Sequence, residues 1–295
     1  MPDRATRLAF VSFVVLGGVN FVAVRFSNRE LEPMFGAGLR FGLAAILLTA
    51  AFLLRRQAVP KGRALLGVVL YGVFSFGAAY AFAYYALTTL PAGIGSVIFS
   101  SMPLFVVFLA HFHGLERFRV RALVGAIVTL GGIAILSNPF AASAVPLVPL
   151  LAMLMSAVTA AEGTVVAKMF PPVKATVANA VAMTAGGVLL LLLSTILGEN
   201  WQLPILPATR WAVSYLSLAS AVMFALFIFV IQRWSAGSAS YMAALLPVTA
   251  VIAAAIMLGE PITLTMVAGG LVVLAGVYIG ALAPSRSVEP VSVPG

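Results

Sequence analysis

Glu162 is the single acidic residue well inside a long apolar stretch of this 295-residue chain, and Arg40 is the single basic one so placed. A charge in hydrocarbon costs several kcal/mol by most estimates, and such residues usually face a cavity. Glu162 lies about 20 Å from the outer end of its stretch if that stretch is helical. It offers either a proton-coupling or ammonium-binding carboxylate, or a partner for Lys168 at an inner gate. Arg40 offers a guanidinium fork for a substrate carboxylate, or a side chain that snorkels to the outer interface. Asn20 and Asn179 carry donors and acceptors that need partners in lipid; interhelical hydrogen bonds and a cavity lining are both open to them. Tyr80 and Tyr84 share a helical face at i, i+4, Tyr84 and Tyr85 falling near an interfacial aromatic belt. Tyr80 is deeper and is a candidate cavity wall, or ordinary packing. Ser100 and Ser101 stand beside Pro103, which removes a backbone hydrogen bond within a helix and frees the Phe99 carbonyl. His111 and His113 lack a third ligand for a metal, so no metal site is expected; an interfacial place or a proton role remains.

The composition determines what must position these groups. Hydrophobic residues make up 62% and charged residues 8%, with a mean hydropathy of +1.13. Soluble domains carry about 25% charged residues, so neither soluble domains nor disorder fits. The chain reads as an all-α polytopic membrane protein. Cysteine is absent, which excludes disulfides and thiolate metal sites. The net charge of +9 has no basic helix behind it, so no nucleic-acid partner is expected; the excess marks loops. Stretches long enough to cross a bilayer are predicted at about 7–26, 34–54, 64–87, 92–113, 119–137, 147–168, 175–198, 210–232, 237–258 and 263–283. With the N-terminus inside, 13 of the 17 Lys and Arg residues fall in inside segments and three, Arg25, Arg29 and Arg210, outside. Both termini are therefore expected on the cytoplasmic side of the cell (plasma or inner) membrane. The Ser/Pro-rich residues 284–295 are expected to be a disordered tail.

Residues 92–136 align without a gap onto 236–280, an offset of 144, with 12 identical pairs in 45. Among them are Gly93/Gly237, Pro103/Pro247, Glu116/Glu260, Gly125/Gly269 and Gly132/Gly276. The offset pairs Tyr80 with Phe224, a second candidate wall residue. Five spans per half is an odd number, so the second half enters the membrane inverted. The loop after the fourth span carries Arg117, Arg119 and Arg121, while its counterpart Gly259-Glu260-Pro261-Ile262 carries no Lys or Arg. Inverted repeats are a recurring plan of secondary transporters. The expected division is 1–140, 141–283 and the tail 284–295. Pro103 and Pro247 at matched depth suggest hinges, against static kinks satisfied by neighbouring helices. Glu116 and Glu260 read as structural: a Gly stop, then an acid by the N-terminus of the next helix.

Ten spans in two five-span halves, with Ala92-Gly93, Met102-Pro103 and Gly114-Leu115-Glu116 answered by Ala236-Gly237, Leu246-Pro247 and Leu258-Gly259-Glu260-Pro261, resemble the drug/metabolite transporter superfamily, EamA type. Within it the chain is most similar to the YddG group of amino-acid exporters. The resemblance implies spans one to four and six to nine around a central cavity, with five and ten packed outside it. Asn20, Arg40, Tyr80, Ser100, Ser101, Glu162, Asn179, Met183 and Phe224 are the candidate lining. The implied activity is alternating-access export of small amphipathic metabolites, amino acids including aromatic ones; lipophilic cations or nucleosides are the alternative. No H-E-x-x-H, G-x-S-x-G or Walker A motif points to a membrane enzyme, and one acid and one Arg supply little for a channel pore. No cofactor is expected. The expected partners are a small-molecule substrate and the lipid bilayer, with proton coupling through Glu162 left open, and the chain acting as a monomer or weak homo-oligomer.

Overall fold

The computed structural model describes residues 4–116, 120–137, 146–233 and 236–282, and the regular structure among them is entirely helical. Ten helical spans run through the described residues: α1 Arg4–Ser27, α2 Pro33–Leu54, α3 Gly62–Ala86, α4 Ala92–Phe112, α5 Val120–Ser137, α6 Leu147–Met169, α7 Ala175–Ile196, α8 Pro207–Arg233, α9 Ala236–Leu258 and α10 Leu264–Val277, which a π-helical turn carries on to Leu282. They fall within about four residues of the stretches predicted from hydropathy. Their outer faces are apolar and exposed, as at Leu54, Ile127, Ile196 and Leu271, which suits lipid. Arg117, Arg119 and the tail at 284–295 lie outside the described residues.

The repeat is visible in the backbone. Gly114 and Gly259 both take left-handed φ, 72° and 67°. After them the Glu116 N–H donates to Ala110 O and the Glu260 N–H to Ala254 O, each at 3.2 Å. These are the glycine stops expected from the aligned halves. Arg56 (φ 50°) and Gly198 (φ 70°) form a second such pair at the ends of α2 and α7. Packing repeats as well: α1 lies on α8 and α9, and α6 correspondingly on α3 and α4, while α2 packs on α7, α4 on α9 and α5 on α10. Adding five to each helix number maps this pattern onto itself, as a pseudo-two-fold between halves demands.

The α5–α10 contact shows the same reciprocity at atomic scale. A Cβ on Gly125 would sit 2.5 Å from Gly276 O, and one on Gly276 would sit 2.7 Å from Gly125 O. Gly132 and Gly269 face each other likewise, at 2.9 and 3.0 Å. Without a hydrophobic driving force in lipid, helices associate through such close backbone contact. Neighbouring Gly131 meets nothing within 4 Å.

Two departures from regular helix bear on the interior. Residues Val73–Ala78 of α3 are π-helical. Five α-helical residues advance about 140° beyond a full turn, which would separate Tyr71 from Phe76; the wider π turn gathers Tyr71, Phe76 and Tyr80 along one cavity. In α4 the helix breaks at Ser100–Ser101 and restarts at Met102 with Pro103 in its first turn. Pro247 instead lies inside an uninterrupted α9. Equal depth in sequence thus gives a helix broken ahead of its proline in one half and one that runs on through its proline in the other.

Gly132→Leu is expected to overpack the α5–α10 seam and cost about 1–3 kcal/mol, lowering the detergent melting temperature, while Gly131→Leu leaves it unchanged. Equal melting temperatures for the two variants would contradict this seam.

Candidate functional site

Three cavities share lining residues in series. One of about 570 Å³ lies where α3, α6 and α7 meet, lined by Tyr71, Met102, Lys168, Phe170 and Asn179. Tyr71 and Met102 also line a cavity of about 290 Å³ with Phe41, Met183 and Ser220. Phe13, Asn20, Arg40, Tyr80 and Met223 line that one and a third, of about 220 Å³, that reaches Val24 and Leu87. The series runs from the end of the bundle that carries the chain termini to just below the opposite end.

At that opposite end three carboxylates tie distant segments together, each bound to two backbone amides at a helix start. Met34 and Phe35 N–H donate to Glu199 Oε1 and Oε2 at 3.0 and 2.8 Å. Ala92 and Gly93 N–H donate to Glu260 Oε1 and Oε2 at 3.0 and 3.3 Å. Ile205 and Leu206 N–H, just before α8, donate to Glu30 at 2.6 and 3.1 Å. Helix starts present unpaired amides and positive partial charge, so a carboxylate is the fitting partner. Arg25 completes the closure, donating to Leu90 O at 2.9 Å and approaching Glu260 at 3.9 Å. Glu260 was expected to serve the helix that follows it in sequence. It instead clamps α4, 168 residues away, and α10 is capped by Thr263, whose hydroxyl accepts from Met266 N–H. At the end bearing the termini, the repeat partner Glu116 is exposed, as is Lys168.

Arg40 is the centre of the site. It is 2% exposed, so the outer-interface alternative is overturned: its position on α2 faces helices, not lipid. Its Nε donates to Ser220 Oγ at 2.9 Å, and its guanidinium lies over the rings of Tyr80 and Phe41 at 4.8 and 5.0 Å. Its Nη1 has no hydrogen-bond partner. Among the described residues the ion pairs are Arg25–Glu260 and His113–Glu162, so no carboxylate offsets Arg40. Cation–π contacts of about 0.5–2 kcal/mol do not match the several kcal/mol of desolvation.

The other candidates divide. Asn20, Tyr80 and Met183 join Arg40 around the inner cavities. Asn20 Nδ2 reaches Met223 Sδ at 3.2 Å while its Oδ1 has no partner. Asn179 lines the 570 Å³ cavity, its Nδ2 donating to Ala175 O of its own helix at 2.6 Å. Ser100 and Ser101 do not line these cavities; they are buried and donate to Val97 O and Ile98 O, both at 2.6 Å, so their hydroxyls serve the break in α4. Glu162 also lies off the cavities, and its partner is His113 at 2.9 Å rather than Lys168. The side chain of Phe224 lies outside those described. Tyr84, expected near an interfacial belt, is wholly buried, whereas Tyr85 is exposed. Phe13, Phe41, Phe76 and Ser220 belong to the wall and were not anticipated. No three His, Cys, Asp or Glu residues among those described come together as a metal site.

Residues 6–138 and 147–281 each match the EamA-like transporter family. The chain is 30% identical over 275 residues to the uncharacterised inner membrane transporter YedA of Escherichia coli K12, covering 92% of this chain and 88% of that one. It is 28% identical over 279 residues to a probable amino-acid metabolite efflux pump of Salmonella typhimurium, covering 90% and 91%. It is 28% identical over 278 residues to an uncharacterised transporter of Archaeoglobus fulgidus, covering 90% and 95%. One crystal structure superposes with a TM-score of 0.64 at 20% identity over 94% of this chain and 97% of that one, a likeness of fold.

The amides of Ile205 and Leu206, with Arg210 nearby, hold the Glu30 carboxyl below its ordinary value of 4.5. A lowered folded-state value stabilises the fold above 4.5 and withdraws that support as pH falls through it. The melting temperature of the wild type should therefore fall more steeply on acidification below 4.5 than that of Glu30→Gln. Parallel curves would contradict the clamp.

Proposed function

The chain belongs to the EamA-like transporter family, and from that premise we propose that it exports small amphipathic metabolites, amino acids including aromatic ones, by alternating access. The observation that carries this reading is the series of cavities, with room at the terminal end and a carboxylate-bound closure at the other. Such a state is one of the two that a carrier must visit. The halves 1–140 and 141–283 are the two units, the second inverted, and each contributes one device of the same design. Glu260 with Arg25 closes one end; Glu116, with Lys168 beside the mouth, closes the other when the halves rock. The two closures exclude each other, so the solute meets one side at a time. The terminal end is cytoplasmic and the membrane is the inner or plasma membrane. The aromatic walls from Tyr80, Phe41 and Phe76 suit a ring or branched aliphatic side chain. The name of the Salmonella relative, a probable amino-acid metabolite efflux pump, supports the same substrate class. The chain acts as a monomer or weak homo-oligomer in this reading. Glu162, bound to His113, is the proposed proton-coupling carboxylate.

The test is counterflow in proteoliposomes with a panel of labelled amino acids, with and without a pH gradient. Saturable exchange of amino acids is the expected result, and flux that neither saturates nor counterflows would overturn the carrier. The closure has its own test in a chain without native cysteines. Val24→Cys lines the innermost cavity and should react slowly with an impermeant maleimide added at the closed end. Adding Glu260→Gln should speed that reaction about fivefold, from loss of roughly 1 kcal/mol of closure. An unchanged rate would show that Glu260 does not hold the end shut.

A further inference from the structure

We propose that Arg40 is the seat for a carboxylate on the transported solute, so that the cavity selects carboxylate-bearing amphipaths over cations. The inference rests on the carrier reading and deepens it. Arg40 is buried two turns into α2, donates from Nε to Ser220, has the buried Tyr84 hydroxyl beside it, and leaves Nη1 without a hydrogen-bond partner. The described carboxylates are all accounted for elsewhere: Glu30, Glu199 and Glu260 bind helix starts, Glu162 binds His113, and Glu32 and Glu116 are exposed. A buried guanidinium without a counter-charge is costly to keep, and its stability cost is recovered when an anion arrives.

The surroundings define which anion. Among the described residues Arg40 is the single cation lining the two inner cavities, so one carboxylate balances the site, while a phosphate dianion would bring an uncompensated charge. Tyr80 and Phe41 cover the guanidinium with their faces, presenting an apolar wall beside it. Asn20 lines the same cavities, and its buried Oδ1 has no donor, so a turn of the side chain offers an ammonium hydrogen an acceptor. A donor fork, a lone acceptor and an aromatic wall match the carboxylate, ammonium and side chain of an amino acid. A lipophilic cation meets no carboxylate there and is repelled by Arg40.

Counterflow by the full chain in liposomes tests this with matched pairs: phenylalanine beside phenethylamine, and leucine beside isoamylamine, each amine lacking only the carboxylate. The acid should be favoured at least tenfold in both pairs, and 3-phenylpropionate should compete with phenylalanine. If amines or a lipophilic cation such as ethidium exchange as well as the acids, the carrier stands and the Arg40 assignment falls. If no panel member exchanges, the carrier reading fails and takes the assignment with it. Arg40→Met separates seat from scaffold. It removes an unpaired buried charge at similar volume, so its melting temperature should equal or exceed that of the wild type while the acid preference drops at least tenfold. A variant that keeps the wild-type acid preference would overturn the proposal. Should Arg40→Met fail to fold, the comparison of acid with amine on the wild type decides alone.

Discussion

Within hydrocarbon a backbone amide finds a partner in the chain or none, and at one end of this bundle three helix starts find theirs in carboxylates. Glu30, Glu199 and Glu260 supply those acceptors, each from a connecting segment distant in sequence from the helix start it serves. The closure of that end is thus made of long-range bonds between segments, α9 to α4, α7 to α2 and the α1–α2 loop to α8. Such bonds are strong where water is scarce and are lost together when the segments part. At the opposite end Glu116 and Lys168 are exposed.

Arg40 reverses this economy. Every other charge in the described chain sits at an end, an edge or in a pair; this one is enclosed with neutral hydroxyl neighbours, Ser220 and Tyr84, and no carboxylate. Natural proteins keep an unfavourable group of this kind where function requires it. The aromatic rings around it depend on backbone geometry, because the π-helical turn of α3 brings Tyr71 and Phe76 onto the face that Tyr80 occupies. The site is therefore built from three different devices: a charge from α2, a π turn in α3, and Met223 and Ser220 from α8.

Much of the fold was legible in the sequence because its determinants are local. Apolar runs of bilayer length mark the spans, and Gly114 and Gly259 mark helix ends by their φ angles. The fixed offset between halves carries the reciprocity of Gly125 with Gly276 and of Gly132 with Gly269. Asn20, Arg40, Tyr80 and Met183 were legible as cavity candidates because polar and large groups inside apolar spans are few. What failed was everything set by partners distant in sequence. Glu260 looked like the cap of its neighbouring helix, and only packing shows that it clamps Ala92 and Gly93. Ser100 and Ser101 looked free to meet a solute, yet the break in α4 claims both hydroxyls. The role of Phe76 depends on a π turn that no residue pattern announces.

Alternating access requires that the two ends close by turns, each through the carboxylate of one half. Spin-label distances measured on one preparation follow both ends at once, using Thr88 with Ile262 at one end and Leu115 with Met169 at the other, all exposed positions. Titrating a transported solute should populate a state in which the Thr88–Ile262 distance lengthens as the Leu115–Met169 distance shortens. Distances that stay fixed, or that lengthen together, would contradict alternating closure and leave the bound carboxylates as static ties.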